Sequence, residues 1–195
     1  AHYPLGIFDC SSATSAIQPL EKYEPPLKLK LDYFTDAKGT PRGVGKMPGS
    51  GPTWLTAYVT LPDKSGTPHF VATYSKIKPP LDAYEFGLCE WNDAKASFDQ
   101  VRVLWEKKET VKRPLLPEGQ PAFWKDKEGH EWVMFGDPFP KIRFPATYEA
   151  WQDSKTWEEL KPQAKLVSAN SKTVKPHSGH IAWNSFRQRW VTVFM

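Results

Sequence analysis

A strand pattern that returns about every 60 residues limits the fold of this chain more tightly than any other feature. "EWNDAKASF" (Glu90 to Phe98) matches "AWQDSKTW" (Ala150 to Trp157) at an offset of 60. "HFVATY" (His69 to Tyr74) matches "EWVMFG" (Glu131 to Gly136) at an offset of 62, and "RWVTVF" (Arg189 to Phe194) follows a further 58 residues on. A second strand precedes each of these: "TWLTAYVTL" from Thr53, "PAFW" from Pro121 and "HIAWN" from His180. The turns repeat too. Asp63 to Gly66 and Asp126 to Gly129 are both Asp-x-x-Gly, with Asp first and Gly fourth as a type I turn prefers, and Asp36 to Gly39 is a further example.

Each full copy therefore predicts four strands. The first covers Thr53–Leu61, Pro68–Ser75, Tyr84–Trp91 and Ser97–Trp105; the second covers Pro121–Lys125, Glu131–Gly136, Ala146–Trp151 and Thr156–Leu160. "ATYEAWQDSKTWEEL" also has a loose helical spacing, but its match to the first copy favours two strands and a turn. Ahead of the repeats, "LKLKLDYF" alternates Leu27, Leu29 and Leu31 with Lys28, Lys30 and Asp32, the mark of a half-exposed strand. The fold class is all-β, and four strands per repeat is the layout of a β-propeller blade.

One domain over 1–195 follows, with an N-terminal segment and first strand in 1–52, blades in 53–110 and 121–162, and the start of another in 178–195. These make about two and a half blades, an incomplete ring. Trp54, Trp91, Trp105, Trp132, Trp151 and Trp190 are expected to pack as wedges between blades. Val191 to Met195 reads as a buried-type strand at the end of the chain, and its edge is expected to be open to a neighbouring chain.

Composition agrees with this. The 19 prolines and 9 tryptophans suit short strands and punctuated loops better than long helices. No apolar run approaches the roughly 18 residues of a membrane helix, and "AHYPLGIFDC" lacks the basic start and apolar core of a signal peptide. The net charge of +4 comes from well-mixed residues, as in "EKKETVKR", and not from the clustered basic groove of a nucleic-acid binder. Cys10 and Cys89 are the two cysteines and read as buried thiols, with pairing left open. "GTPRGVGKMPGSG" (Gly39 to Gly51) fails as a phosphate loop, because Met47 stands where a Ser or Thr should hold Mg²⁺.

"FGDPFPKIRFPATYEAWQDSKTWEEL" and "GHIAWNSFRQRWVTVFM" resemble five-bladed propeller proteins related to bacterial glycoside hydrolases, among them arabinan-cleaving enzymes and secreted relatives. The shared elements are the strand Trp132–Gly136, the Arg143 loop, Tyr148–Trp151 and the hairpin Trp183–Trp190. The resemblance implies a five-bladed ring of which this chain is the N-terminal half. It implies an extracellular or periplasmic protein that acts on or binds a polysaccharide at a central funnel. No cofactor, metal or membrane is expected. A non-catalytic propeller that binds glycan or protein partners is the alternative.

Hydrolysis in such a family needs two carboxylates, one as general acid and one as base or nucleophile. The candidates are Asp32 and Glu149, with Glu90 and Asp137 also considered. Asp32 equally suits a plain alternating strand, and Asp137 before Pro138 suits a turn. Where related enzymes carry Arg-Asp-Pro, this chain has Arg143-Phe144-Pro145, which removes a carboxylate. The candidate ligand-binding residues are Arg143, His177, His180, Trp183 and Trp54. His177 and His180 lack the placed carboxylate a metal site needs, which leaves sugar hydrogen bonding or loop structure. Trp183 and Trp54 could cover a sugar face or fill the core.

Overall fold

In the computed structural model, the described residues are 14–17, 31–161 and 166–195. Twelve strands and one short helix occur among them: β1 (Ala16–Ile17), β2 (Asp32–Tyr33), β3 (Thr53–Pro62), β4 (Pro68–Lys78), β5 (Asp82–Asn92), β6 (Ser97–Glu106), β7 (Gln120–Lys125), β8 (Glu131–Gly136), β9 (Pro140–Pro145), α1 (Tyr148–Gln152), β10 (Glu158–Glu159), β11 (Gly179–Asn184) and β12 (Arg189–Phe194). The protein is mostly β. Two four-stranded sheets follow chain order, β3-β4-β5-β6 and β7-β8-β9-β10, and β1-β2 and β11-β12 are two-stranded.

The chain forms two compact units, one from Ala1–Leu55 with Tyr74–Val111 and the other from Thr56–Thr73 with Lys112–Met195. β3 and β4 thus contribute to both. In the first unit, β5 and β6 pair antiparallel with register shifts at Phe86/Gly87 and Leu88/Cys89, and bulges of this kind twist an edge strand away from further pairing. Its core holds Met47, Tyr74, Ile77, Phe86, Leu88, Cys89, Phe98 and Trp105. Lys76 is buried as well, at 1% exposure. Its ammonium donates to the carbonyls of Met47 (3.2 Å) and Gly51 (2.9 Å) and to Thr53 Oγ1 (3.2 Å). Desolvation lowers its pKa. The Tyr84 hydroxyl holds the same loop through the Ser50 carbonyl at 2.7 Å. The glycine-rich segment is therefore a clamped structural loop.

In the second unit, β7, β8 and β9 pair antiparallel, with Trp124 opposite Trp132, Val133 opposite Phe144 and Met134 opposite Arg143. One face buries Val133, Phe135, Ile142 and Phe144; the other half-exposes Trp132, Met134 and Arg143. Phe144 stacks between Phe135 (5.6 Å) and Trp157 (5.8 Å). β11 runs alongside β7.

The third strand of this sheet is a correction to the sequence reading. It is "PKIRFP", not Ala146–Trp151, which is mostly α1. Ile142 and Phe144 point into the core, and the prolines at both ends fall where the strand starts and stops. α1 begins where Thr147 Oγ1 accepts the Ala150 N–H at 3.2 Å, an N-cap, and it buries Ala150 and Trp151. The last expected strand shrinks to Glu158–Glu159 after a 3-10 turn at Ser154–Thr156. Trp91, in β5, and Trp151, in α1, are thus not equivalent residues.

Of the six expected wedges, Trp105 and Trp151 are buried, Trp91, Trp132 and Trp190 are half-buried, and Trp54 is exposed. Leu27 and Leu29 of the early strand lie outside the described residues, as does Cys10; Cys89 is a buried thiol on β5. β12 pairs with β11, and among the described residues no strand lies on its other side. Val193 on β12 is 71% exposed, and Met195 just beyond it is 82% exposed.

A backbone signature that sequence matching did not find marks the β3–β4, β7–β8 and β11–β12 hairpins. A Cβ added to Gly51 would lie 2.2 Å from the Ile77 carbonyl; at Gly119 it would lie 2.2 Å from that of Gly136, and at Gly179 2.2 Å from that of Val193. Only glycine admits a carbonyl so close, so the β3–β4, β7–β8 and β11–β12 hairpins each close at the base on a glycine.

Candidate functional site

Two acidic turns of the second unit are closed by networks of side-chain hydrogen bonds. In the turn after β3, Asp63 Oδ1 accepts the Ser65 N–H (2.8 Å), the Ser65 hydroxyl (2.7 Å) and the Thr67 N–H (2.9 Å), while Oδ2 lies 3.4 Å from His69 Nε2. These bonds, the Ser65 hydroxyl first, hold its pKa down at about 2. In the turn after β7, Asp126 Oδ1 accepts the His130 N–H at 2.8 Å and Oδ2 accepts the Trp132 indole N–H at 3.0 Å. That indole bond is the largest cause of a pKa again lowered to about 2. His69 and Trp132 each stand six residues after their aspartate. The turns therefore superimpose at an offset of 63, one residue from the 62 of the strand match, and in a strand one residue exchanges the faces.

The first of these turns is covered by α1. Glu149 Oε1 accepts the Lys64 backbone N–H at 3.0 Å, and the Tyr148 ring stacks on His69 with centroids 3.8 Å apart and planes 15° from parallel. Glu149 Oε2 is buried without a hydrogen-bond partner among the described residues. The geometry of Glu149 is that of a docking contact between α1 and the hairpin tip.

The other candidates fall as follows. Asp32 is exposed on β2, opposite Ile17, and belongs to the first unit, whereas Glu149 belongs to the second. Glu90 is half-buried on β5, opposite Asp99. Arg143 lies over the Trp132 ring at 4.3 Å and pairs with Glu158 at 2.8 Å from Nε and 2.7 Å from Nη2. Asp137 accepts the Gly179 N–H at 2.7 Å and the Ser178 hydroxyl at 3.3 Å, which anchors the join between the loop that carries His177 and the start of β11, where His180 lies. Both histidines are exposed. Trp183 on β11 is 45% exposed and meets Trp190 edge-on at 5.6 Å; Trp54 on β3 is 40% exposed.

Asp126, Glu128 and His130 bring potential ligand atoms within 4.8 Å of one another. Both Asp126 oxygens already accept hydrogen bonds from the turn and from Trp132, so the arrangement fits a closed turn better than a cation shell. No helix among the described residues is long and apolar enough to cross a membrane.

No protein-family model and no curated protein matches the chain.

Sequence reasoning saw the Asp-x-x-Gly turns but missed the ring nitrogen six residues on and the stacking of Tyr148 on His69. The first of these signals was present, since His69 and Trp132 hold corresponding places after the two aspartates.

Proposed function

We propose that the two four-stranded sheets and the β11–β12 hairpin are successive blades of a β-propeller that binds a polysaccharide along its first strands. The chain-order pairing within each sheet, the glycine at the base of the β3–β4, β7–β8 and β11–β12 hairpins and the position of β11 beside β7 support the blade reading. A propeller takes about four to eight blades, so in this reading the described sheets are part of a ring.

One observation carries the ligand class. The adjoining first strands β7 and β11 each leave a large ring open, Phe123 at 52% and Trp183 at 45% exposure. Flat rings of this kind cover the C–H faces of sugars, and the exposed His180 on β11 adds a polar group. Binding is favoured over hydrolysis because Glu149 and Asp137 both hold backbone N–H groups.

Titration with arabinan, xylan and related polysaccharides, followed by tryptophan fluorescence, tests the proposal. Binding by the wild type and at least tenfold weaker binding by Trp183→Ala are expected, with no release of reducing sugar. Failure to bind any glycan, or equal binding by the variant, would overturn it. Sugar release abolished by Glu149→Gln would restore the hydrolase reading.

A further inference from the structure

We propose that the turn Asp126–Gly129 is a docking point for an acidic side chain carried at the start of a helix and preceded by an aromatic residue. The argument comes from the sister turn and is independent of glycan binding. Both turns close with the same bonds: Gly66 N–H to the Asp63 carbonyl at 2.9 Å and Gly129 N–H to the Asp126 carbonyl at 3.1 Å. In both, the aspartate Oδ2 meets a ring nitrogen six residues on, from His69 or Trp132.

A lysine follows each aspartate, at the second position of a type I turn, where the backbone N–H has no partner within the turn. In the first turn that N–H is taken by Glu149, while the preceding Tyr148 stacks on the ring that follows the turn. In the second turn the Lys127 N–H has no acceptor among the described residues. Exposed Lys127 and His130 flank the turn and offer cationic or hydrogen-bonding partners to a carboxylate, against the one exposed acid of the turn, Glu128. The occupant has the chemistry of α1 in another polypeptide, because the Glu149 of this chain already holds the Lys64 N–H.

A synthetic capped peptide of residues 146–156 is the probe, added at millimolar concentration to the isotope-labelled full chain. The expected result is a shift of the Lys127 amide and Trp132 indole resonances while the Lys64 amide stays in place. The same peptide carrying Glu149→Gln should bind at least tenfold more weakly. Lys127→Pro removes the donor at a position where type I turns favour proline, so the turn is kept. That variant should lose the peptide response yet retain the Trp132 indole resonance of the native turn. Resonances that do not move, an equal response to the Gln peptide, or an undiminished response in Lys127→Pro would each overturn the proposal. Equal movement of the Lys64 amide would do so too, since it would show exchange at the first turn.

Discussion

The Tyr74 hydroxyl donates to Glu85 Oε1 at 2.7 Å, which links the centre of the first sheet to β5, and Gln100 on β6 donates to the same hydroxyl. Tyr74 is fully buried, and desolvation, then the hydrogen bond to Glu85, pushes its pKa well above the ordinary value of 10.0. An acid whose pKa rises on folding contributes stability that is complete below its unfolded pKa and is lost progressively as pH rises from there through its higher folded pKa. Urea midpoints should therefore begin to fall above about pH 9, where unfolded tyrosine starts to ionise, and keep falling as pH rises further. Tyr74→Phe should flatten that fall and cost about 1–2 kcal/mol at neutral pH. Equal pH slopes for the two proteins would contradict the assignment.

Asp63 and Asp126 act with the opposite sign. Both are lowered to about 2 by hydrogen bonds, so their contribution is present above the unfolded carboxylate pKa and fades as pH falls towards 2. The indole proton of Trp132 should titrate by NMR with a midpoint near pH 2, at the value of the carboxylate that accepts it. Asp126→Asn should remove that titration and reduce the acid loss of Tm below about pH 4. A Trp132 resonance that does not respond to acid would exclude the bond.

Trp151 is fully buried and its indole nitrogen has no hydrogen-bond partner among the described residues. Trp151→Ala should cost about 3–5 kcal/mol through the cavity it leaves. Trp151→Phe removes the unsatisfied donor, whose burial costs about 1–3 kcal/mol, and leaves a smaller void, so its net effect should be near zero. Urea denaturation of both variants measures the contrast. Similar losses for the two would mean that the indole nitrogen is not a burden.

Gly119 has φ +83° and no room for a Cβ beside the Gly136 carbonyl. Gly119→Ala should destabilise by about 1–3 kcal/mol. Gly66 has φ +86° but open space around it, so Gly66→Ala should cost less, about 1–2 kcal/mol from backbone strain alone. Thermal melts of the pair separate strain from close approach, and equal losses would argue against the hairpin-base role.

The strands were legible where side chains alternate and turns carry their own chemistry. Glu131–Gly136 and Arg189–Phe194 have the bounds expected from sequence. β9 was hidden because prolines bracket it, and α1 because its Trp resembled a strand residue of the first copy. The contact of Glu149 with Lys64 spans 85 positions, and local pattern carries no information at that range. The closing glycines were visible as letters, but their role depends on a carbonyl from the opposite strand.

Lys76 gives the first unit a chemical watchmark. Its amine is enclosed and fully hydrogen-bonded, whereas Lys64, Lys95 and Lys127 lie open to solvent. An acylating reagent applied to the native protein would mark the open lysines and pass Lys76 by until the loop from Met47 to Gly51 lets go. The order in which lysines are labelled then becomes a record of which part of the protein opens first.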